Sequence, residues 1–293
     1  MKLKEVLEQA ITKLKDNNIE EATSKARRLL SFILNVSKEY LIIHDEQEAL
    51  EEKIQKFNMY IEQIIIGKPI QYIIGRQEFM GIDFIVNENV LIPQPDTEIL
   101  VEKTIKILNE YIKPKVLDLC TGSGAIAVSI AENIKEAEVY ASDISNEALD
   151  VARTNDKQNK IKFINSDLFH NIEEQFDVIV SNPPYIKTEE IKTLSKEVQN
   201  EPKLALDGGQ DGLYFYREII NQAHKHLISK GYLCLEIGED QKEEVVNLIK
   251  TSQMYTNIKT YKDLGGNDRV IICQKIKNHQ KHLHFQENCG IVK

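Results

Sequence analysis

Tryptophan is absent from the 293 residues, and cysteine occurs only four times. Cys120, Cys234, Cys273 and Cys289 stand singly, without metal-ligand spacing or the density of a disulfide framework. Long apolar runs are also missing. Stretches such as Tyr60-Ile61 and Ile64-Ile65-Ile66 are far too short to span a bilayer. The start, Met1-Lys2-Leu3-Lys4-Glu5-Val6, lacks the apolar core of a signal peptide. Basic residues are outnumbered, 37 against 46 acidic, for a net charge of −9. That balance argues against gripping much phosphate backbone, because nucleic-acid affinity rests largely on basic patches. Together these absences predict a cytoplasmic protein with no membrane contact and no direct nucleic-acid partner.

What is present suits a soluble globular chain: 42% hydrophobic and 28% charged residues, with a length that fits about two domains. Residues 1–68 read as a small helical domain. Leu3, Val6, Leu7, Ala10, Ile11 and Leu14 recur at helical spacing; Ala22, Ala26, Leu29, Leu30, Ile33 and Leu34 form a second stripe. Tyr40-Leu41-Ile42 is a third short segment, and a longer helix is expected from Glu48 to Ile66, stopped by Gly67-Lys68-Pro69. Nothing in this domain carries chemistry, which suits a partner-binding module. Residues 69–92 change character and predict a β-hairpin linker, closing with a short strand at Val90-Leu91-Ile92. Pro93-Gln94-Pro95 then stiffens the entry to a helix that Asp96 or Thr97 can cap. From Lys115 strands and helices alternate, which predicts an α/β fold with a mainly parallel, doubly wound sheet over residues 93–277. Residues 278–293 are polar, carry His279, His282 and His284, and are expected to be a disordered tail with no metal site.

The candidate chemistry gathers at strand ends. Phe176-Asp177-Val178-Ile179-Val180-Ser181 reads as a buried strand, so Asn182-Pro183-Pro184-Tyr185 falls at its carboxyl end, where open α/β sheets bind ligands. Two prolines stop the strand abruptly and stiffen the turn. The turn offers one carboxamide, adjacent carbonyls and one aromatic ring, a set that can hold a flat NH2-bearing group. Upstream, Cys120-Thr121-Gly122-Ser123-Gly124 follows the strand Val116-Leu117-Asp118-Leu119 and opens a helix, a general nucleoside-side arrangement. The loop lacks the Lys-Ser/Thr ending of a P-loop and the first glycine of a dinucleotide fingerprint, which disfavours a dehydrogenase. Asp143 ends the next strand, about twenty residues on, where a carboxylate can accept both ribose hydroxyls; the alternative is a helix N-cap. Asp167 ends the third strand with Leu168 and Phe169 beside it, placed to meet an adenine amino group; the alternative is a turn residue.

In this order, three strand-end sites followed by Asn-Pro-Pro-Tyr resemble a class I S-adenosylmethionine-dependent methyltransferase acting on planar NH2 nitrogens. Further segments narrow the resemblance: Leu91-Ile92-Pro93-Gln94-Pro95-Asp96-Thr97-Glu98, Asp118-Leu119-Cys120-Thr121-Gly122-Ser123-Gly124, Glu201-Pro202, Gly208-Gly209, Asp211-Gly212-Leu213, Leu235-Glu236-Ile237-Gly238 and Asp268-Arg269-Val270. The chain is similar to the HemK/PrmC family, the peptide chain release factor glutamine methyltransferases, from its N-terminal domain to about Lys277. One departure stands out. The family usually carries Arg between the two prolines, and Gln94 cannot form an ion pair there.

The resemblance implies a Rossmann-like, mainly parallel seven-stranded sheet and S-adenosyl-L-methionine as cofactor. It implies methylation of the side-chain amide nitrogen of the glutamine in the Gly-Gly-Gln motif of class I release factors, which become the protein partners. The expected cofactor contacts are Cys120, Thr121, Gly122, Ser123, Gly124, Asp143, Asp167, Leu168 and Asn182. The expected substrate contacts are Asn182, Pro183, Pro184 and Tyr185, with Asn182, Pro183 and Tyr185 catalytic. The Asn182 side-chain oxygen and the Pro183 carbonyl would accept the two amide N–H bonds, and Tyr185 would pack on the glutamine side chain. None of the seven histidines falls in these motifs, and no general base is evident. The same Asn-Pro-Pro-Tyr logic would serve an N6-adenine DNA or RNA methyltransferase acting on a flipped base, but such an enzyme needs a basic groove that this acidic chain does not offer. A binding module that retains only the cofactor fold is the non-enzymatic alternative.

Overall fold

The computed structural model describes residues 1–277. At the amino end, α1 (Leu3–Asp16), α2 (Ala22–Leu34), α3 (Lys38–Ile43) and α4 (Glu51–Ile65) pack around one core. Their inward faces follow the helical period: Leu3, Val6, Leu7, Ala10 and Leu14 from α1 meet Ala26, Leu29 and Leu30 from α2 and Phe57, Ile61 and Ile64 from α4. The Glu5 carboxylate accepts the Lys2 backbone N–H at 2.9 Å, satisfying a donor left free at the start of α1. After α4, Gly67 takes φ +104°, and Pro69 then prevents the helix from continuing. The expected start of this helix at Glu48 is three residues early; Leu50 is its N-cap.

The linker departs from the expected hairpin in two places. Tyr72-Ile73-Ile74 belongs to a one-turn helix, α5 (Ile70–Ile74), whose Ile70 sits in the bundle core. The hairpin itself is β1 (Arg76–Phe79) paired with β2 (Ile82–Ile85). Val90-Leu91-Ile92 forms no strand. It is held instead by single bonds from other segments: the Tyr72 hydroxyl donates to the Val90 carbonyl at 2.6 Å, and the Ile92 N–H donates to the Glu201 carboxylate at 2.9 Å.

The remainder is the α/β domain: α6 (Thr97–Leu108), β3 (Lys115–Leu119), α7 (Ala125–Asn133), β4 (Glu138–Asp143), α8 (Asn146–Asn155), β5 (Ile161–Asn165) and β6 (Phe176–Ser181). There follow two single turns of helix, α9 (Lys196–Gln199) and α10 (Lys203–Leu206), then α11 (Tyr214–His226), β7 (Leu227–Glu236), α12 (Lys242–Ser252), β8 (Tyr255–Lys262) and β9 (Asp268–Lys275). The seven strands lie in the order β5-β4-β3-β6-β7-β9-β8. β3 to β7 pair in parallel; β9 runs antiparallel to both β7 and β8. A mainly parallel sheet of this kind is covered on both faces, and two separate apolar cores lie against it. The chain moves outward from β3 through β4 to β5, then returns to place β6 on the other side of β3. That reversal makes the crevice between the ends of β3 and β6 the topological switch point. Among the described residues no helix is long and apolar enough to cross a membrane. The expected tail, residues 278–293 with its three histidines, lies outside the described residues.

Candidate active site

A cavity of about 580 Å³ opens at the carboxyl edge of the sheet, over the switch point. Its floor comes from strand ends. Cys120 and Gly122 follow β3, Asp143 ends β4, Asp167 and Leu168 follow β5, and Asn182 and Pro184 follow β6. Its walls come from Glu88 to Leu91 of the linker and from Pro202, Leu204, Ala205, Tyr214 and Phe215.

The glycine loop is shaped by backbone bonds. The Thr121 N–H donates to the Ser142 carbonyl at 2.9 Å, and the Gly122 N–H donates to the Asp143 carboxylate at 2.8 Å. Cys120 and Gly122 both adopt left-handed φ, +63° and +54°. A side chain on Gly122 would meet nothing within 4 Å, so its face is open to the cavity. Gly124 is constrained differently: a Cβ there would lie 3.0 Å from the Ala152 Cβ, so this glycine lets the loop close against α8. Thr121 and Ser123 are buried and do not line the cavity. The Thr121 hydroxyl turns inward to the Asp118 carboxylate at 2.5 Å.

Asp143 is not a helix cap; the Ser145 hydroxyl fills that position by accepting the Ala148 N–H at 3.1 Å. Asp143 instead accepts from Gly122 and, at 3.0 Å, from the Ser145 N–H, while burial pushes its carboxyl above the usual range. The Asp167 carboxylate is exposed and accepts nothing from the described residues. Its turn is built by Ser166, whose hydroxyl donates to the Leu168 carbonyl at 2.7 Å and accepts the Asn171 N–H at 2.9 Å. Leu168 takes φ +45°, a strained value for a branched side chain, beside the cavity.

Asn182 leaves β6 with its amide anchored from behind. Its Nδ2 donates to the Thr97 hydroxyl at 3.2 Å, so Thr97, expected as a cap for α6, serves as an acceptor for the turn instead. Asp96 makes no capping bond either. Pro184 lines the cavity; Pro183 and Tyr185 do not. Tyr185 packs against the second core, and burial pushes its phenol well above its usual range. The Tyr185 carbonyl accepts the Gln241 Nε2 at 2.9 Å. Two glycines press on the same residue: a Cβ on Gly208 would lie 2.7 Å from the Tyr185 Cα, and one on Gly212 would lie 2.5 Å from its carbonyl oxygen.

Residues 95–209 match the methyltransferase small domain, and residues 5–75 match the PrmC N-terminal domain. The release factor glutamine methyltransferase of Clostridium acetobutylicum is 41% identical over 280 residues, covering 93% of this chain and 98% of that one. The chain belongs to the release factor glutamine methyltransferase family. The Fusobacterium nucleatum member is 39% identical over 290 residues, covering 97% of this chain and 82% of its own. The Thermus thermophilus 16S rRNA N2 G1207 methyltransferase, solved with AdoMet and guanosine, is 20% identical with a TM-score of 0.50 over 68% of this chain and 49% of that one; this likeness is one of fold alone. S-adenosylmethionine is the cofactor of this methyltransferase family. The open face of Gly122 and the two carboxylates on one cavity floor suit a nucleoside sulfonium.

Sequence reasoning assigned no role to three buried carboxyls. Asp118 lies beneath the glycine loop, accepting Thr121 and the Ala127 N–H; burial raises its pKa to about 7. Glu201 ties the linker to the segment beyond the Asn-Pro-Pro-Tyr turn and is likewise pushed up to about 7 by burial. Glu236 ends β7 beside Thr97, Asn182 and Arg269, and burial again raises it to about 7. The only sequence signal for them was acidic residues inside otherwise apolar strands or motifs, at positions where a carboxylate is costly to bury.

A raised folded-state pKa means that the native protein holds the proton more tightly than the unfolded chain. The stability each carboxyl contributes is therefore present below its ordinary pKa and lost as the pH rises through about 7. Glu236→Gln removes one such group. Its unfolding free energy by urea titration, relative to wild type, should rise as the pH goes from about 5 to about 8, by an amount on the order of a few kcal/mol at most; a pH-independent difference would refute the assignment. Gly208→Ala should push the Tyr185 backbone out of place and lower turnover by about tenfold or more, with S-adenosylmethionine affinity by calorimetry little changed. Wild-type kinetics in that variant would show that the contact does not set the turn.

Proposed function

We propose that this protein transfers a methyl group from S-adenosylmethionine to the side-chain amide nitrogen of the glutamine in the Gly-Gly-Gln motif of class I release factors. The observation that carries the reading is the Asn182 carboxamide. Its nitrogen is engaged by Thr97, while the residue lines a cavity that also holds Asp143 and Asp167. Its oxygen remains as an acceptor for a substrate NH2.

Asp143 would hold the ribose hydroxyls of the cofactor, and Asp167 with Leu168 its adenine. When bound there, the cofactor supplies an electrophilic methyl group on a sulfonium. The amide nitrogen of glutamine is a poor nucleophile, because its lone pair is delocalised into the carbonyl. The Asn182 oxygen would accept one of its N–H bonds and the Pro183 carbonyl, although Pro183 does not line the cavity, the other, fixing the direction of the nitrogen and favouring its pyramidal form. Positioning of this kind is the main task left to the protein. Pro184, stiff and at the cavity floor, limits the space beside that nitrogen. Tyr185, turned away into the core, supports the turn from behind, so the apolar wall for a glutamine side chain falls to other residues of the cavity.

The N-terminal bundle with its hairpin would recognise the body of the release factor. The bundle carries no chemistry of its own, and Ile42, Ile43 and Leu50 are large apolar residues left exposed on it.

Labelled methyl transfer tests the reaction, with a class I release factor, the same factor with its motif glutamine changed to Ala, and adenine-containing DNA as parallel substrates. Label is expected on the first alone, and Asn182→Ala should lower it about a hundredfold while cofactor binding persists. Label on DNA would favour the adenine reading, and cofactor binding without any transfer would favour a binding module. For the bundle, Ile43→Asp with Leu50→Asp should raise KM for whole factor and leave cofactor affinity unchanged. An unaltered KM would remove these residues from the interface.

A further inference from the structure

The structure assigns Thr97 as the positioning residue that decides which end of the Asn182 carboxamide faces the cavity. A carboxamide is nearly symmetrical in shape, and a half-turn about its last bond exchanges oxygen for NH2. Only one orientation serves an amino-bearing substrate. With the oxygen outward it accepts; with the nitrogen outward two donors would confront each other. Nothing in the Asn-Pro-Pro-Tyr turn itself makes that choice, so it must come from behind.

Behind Asn182 lie two buried polar side chains from other elements. Thr97 opens α6 and is 5% exposed; Glu236 closes β7 and is 2% exposed. The Asn182 Nδ2 donates to the Thr97 oxygen at 3.2 Å. A hydroxyl that accepts here keeps its own proton to give away. The Glu236 carboxyl stands beside both groups, and its Oε2 has no hydrogen-bond partner among the described residues. Thr97 donating toward Glu236 completes a directed chain: Asn182 N–H to Thr97 oxygen, Thr97 O–H to carboxylate. Once ionised, as it is above about pH 7, the carboxyl only accepts, so in that range the chain runs one way. In that direction the amide nitrogen is drawn inward and the oxygen is left to the cavity. Reversal would leave a buried donor or acceptor unpaired, which costs free energy in a dry interior.

The kinetic part of the inference rests on the glutamine reading proposed above; the orientation itself does not, and the experiment separates them. Thr97→Val is close in shape but can neither accept nor donate, and Thr97→Ser restores the hydroxyl. The first readout needs no substrate: hydrogen exchange of the Asn182 side-chain NH2 by NMR, its signal identified by its loss in Asn182→Ala. Exchange should be slow in wild type and in Thr97→Ser, and about tenfold faster in Thr97→Val. The second is turnover on the release factor. In Thr97→Val, kcat should fall about tenfold or more with KM and cofactor affinity little changed, and Thr97→Ser should recover most of it. Equal exchange in wild type and Thr97→Val would overturn the proposal. So would unchanged kcat in Thr97→Val, or cofactor affinity lost in step with kcat. If wild type does not methylate the factor, the function reading fails, and the exchange measurement still decides the orientation.

Discussion

The pairing of β3 with β6 is the constraint on which the rest depends. Four residue pairs, from Val116 with Val178 to Leu119 with Ser181, bring two strands separated by a long stretch of chain into parallel contact. The Ser181 hydroxyl adds a bond to the Leu119 carbonyl at 2.6 Å at the last pair. Because the strands are parallel and in this register, their next residues emerge side by side at one edge. Cys120 therefore begins the glycine loop next to Asn182. A slip of the register would carry the carboxamide away from the loop and turn the alternate side chains over.

Around that edge the protein buries carboxyls that a simple core would avoid. Asp118, Glu201 and Glu236 are nearly inaccessible, and burial opposes the charge of each. Each sits where an irregular segment must hold one conformation: under the glycine loop, behind the linker, and behind the Asn-Pro-Pro-Tyr turn. Loops cannot be fixed by ladder bonds; Asp118 and Glu201 accept bonds from them instead. Arg269 joins the cluster, donating to Asp263 at 3.0 Å and to the Ile237 carbonyl at 3.3 Å, with Asp96 at 3.4 Å. The same residues that restrict the turn reduce net stability near neutral pH, a trade commonly found where geometry matters more than stability.

The cavity walls connect the carboxyl edge of the sheet to the helical bundle. Linker and post-turn segment meet through Glu201 and the Ile92 N–H. The same post-turn segment reaches the bundle, where Lys25 pairs with Glu197 and the Asn200 amide donates to the Gly67 carbonyl at 3.1 Å. A side chain on Gly67 would lie 2.7 Å from the Lys196 Cβ, so the two parts approach closely at that turn. A substrate gripped by the bundle and threaded into the cavity would touch two ends of one hydrogen-bonded path.

Local pattern determined a great deal. Period 3.6 marked the amphipathic helices, apolar runs bounded by Gly, Pro and Asn marked the strands, and the strand-end order of glycine loop, Asp143, Asp167 and Asn182 marked the cavity floor. Such signals survive in sequence because each depends on residues close in the chain. Tertiary structure alone decided the rest. Val90-Leu91-Ile92 has the composition of a strand but finds no partner strand; its bonds from afar come from Tyr72 and Glu201. Thr97 resembles a cap until Asn182 arrives, 85 positions away, to claim its oxygen. Tyr185 belongs to the motif, yet its ring turns into the core, where Gly208, Gly212 and Gln241 hold its backbone. Thr121 and Ser123 sit in the loop but face inward. Except for Thr121, whose partner Asp118 lies three residues back, the deciding partner comes from a distant part of the chain, and the direction of a side chain depends on what packs behind it, which no local spacing records.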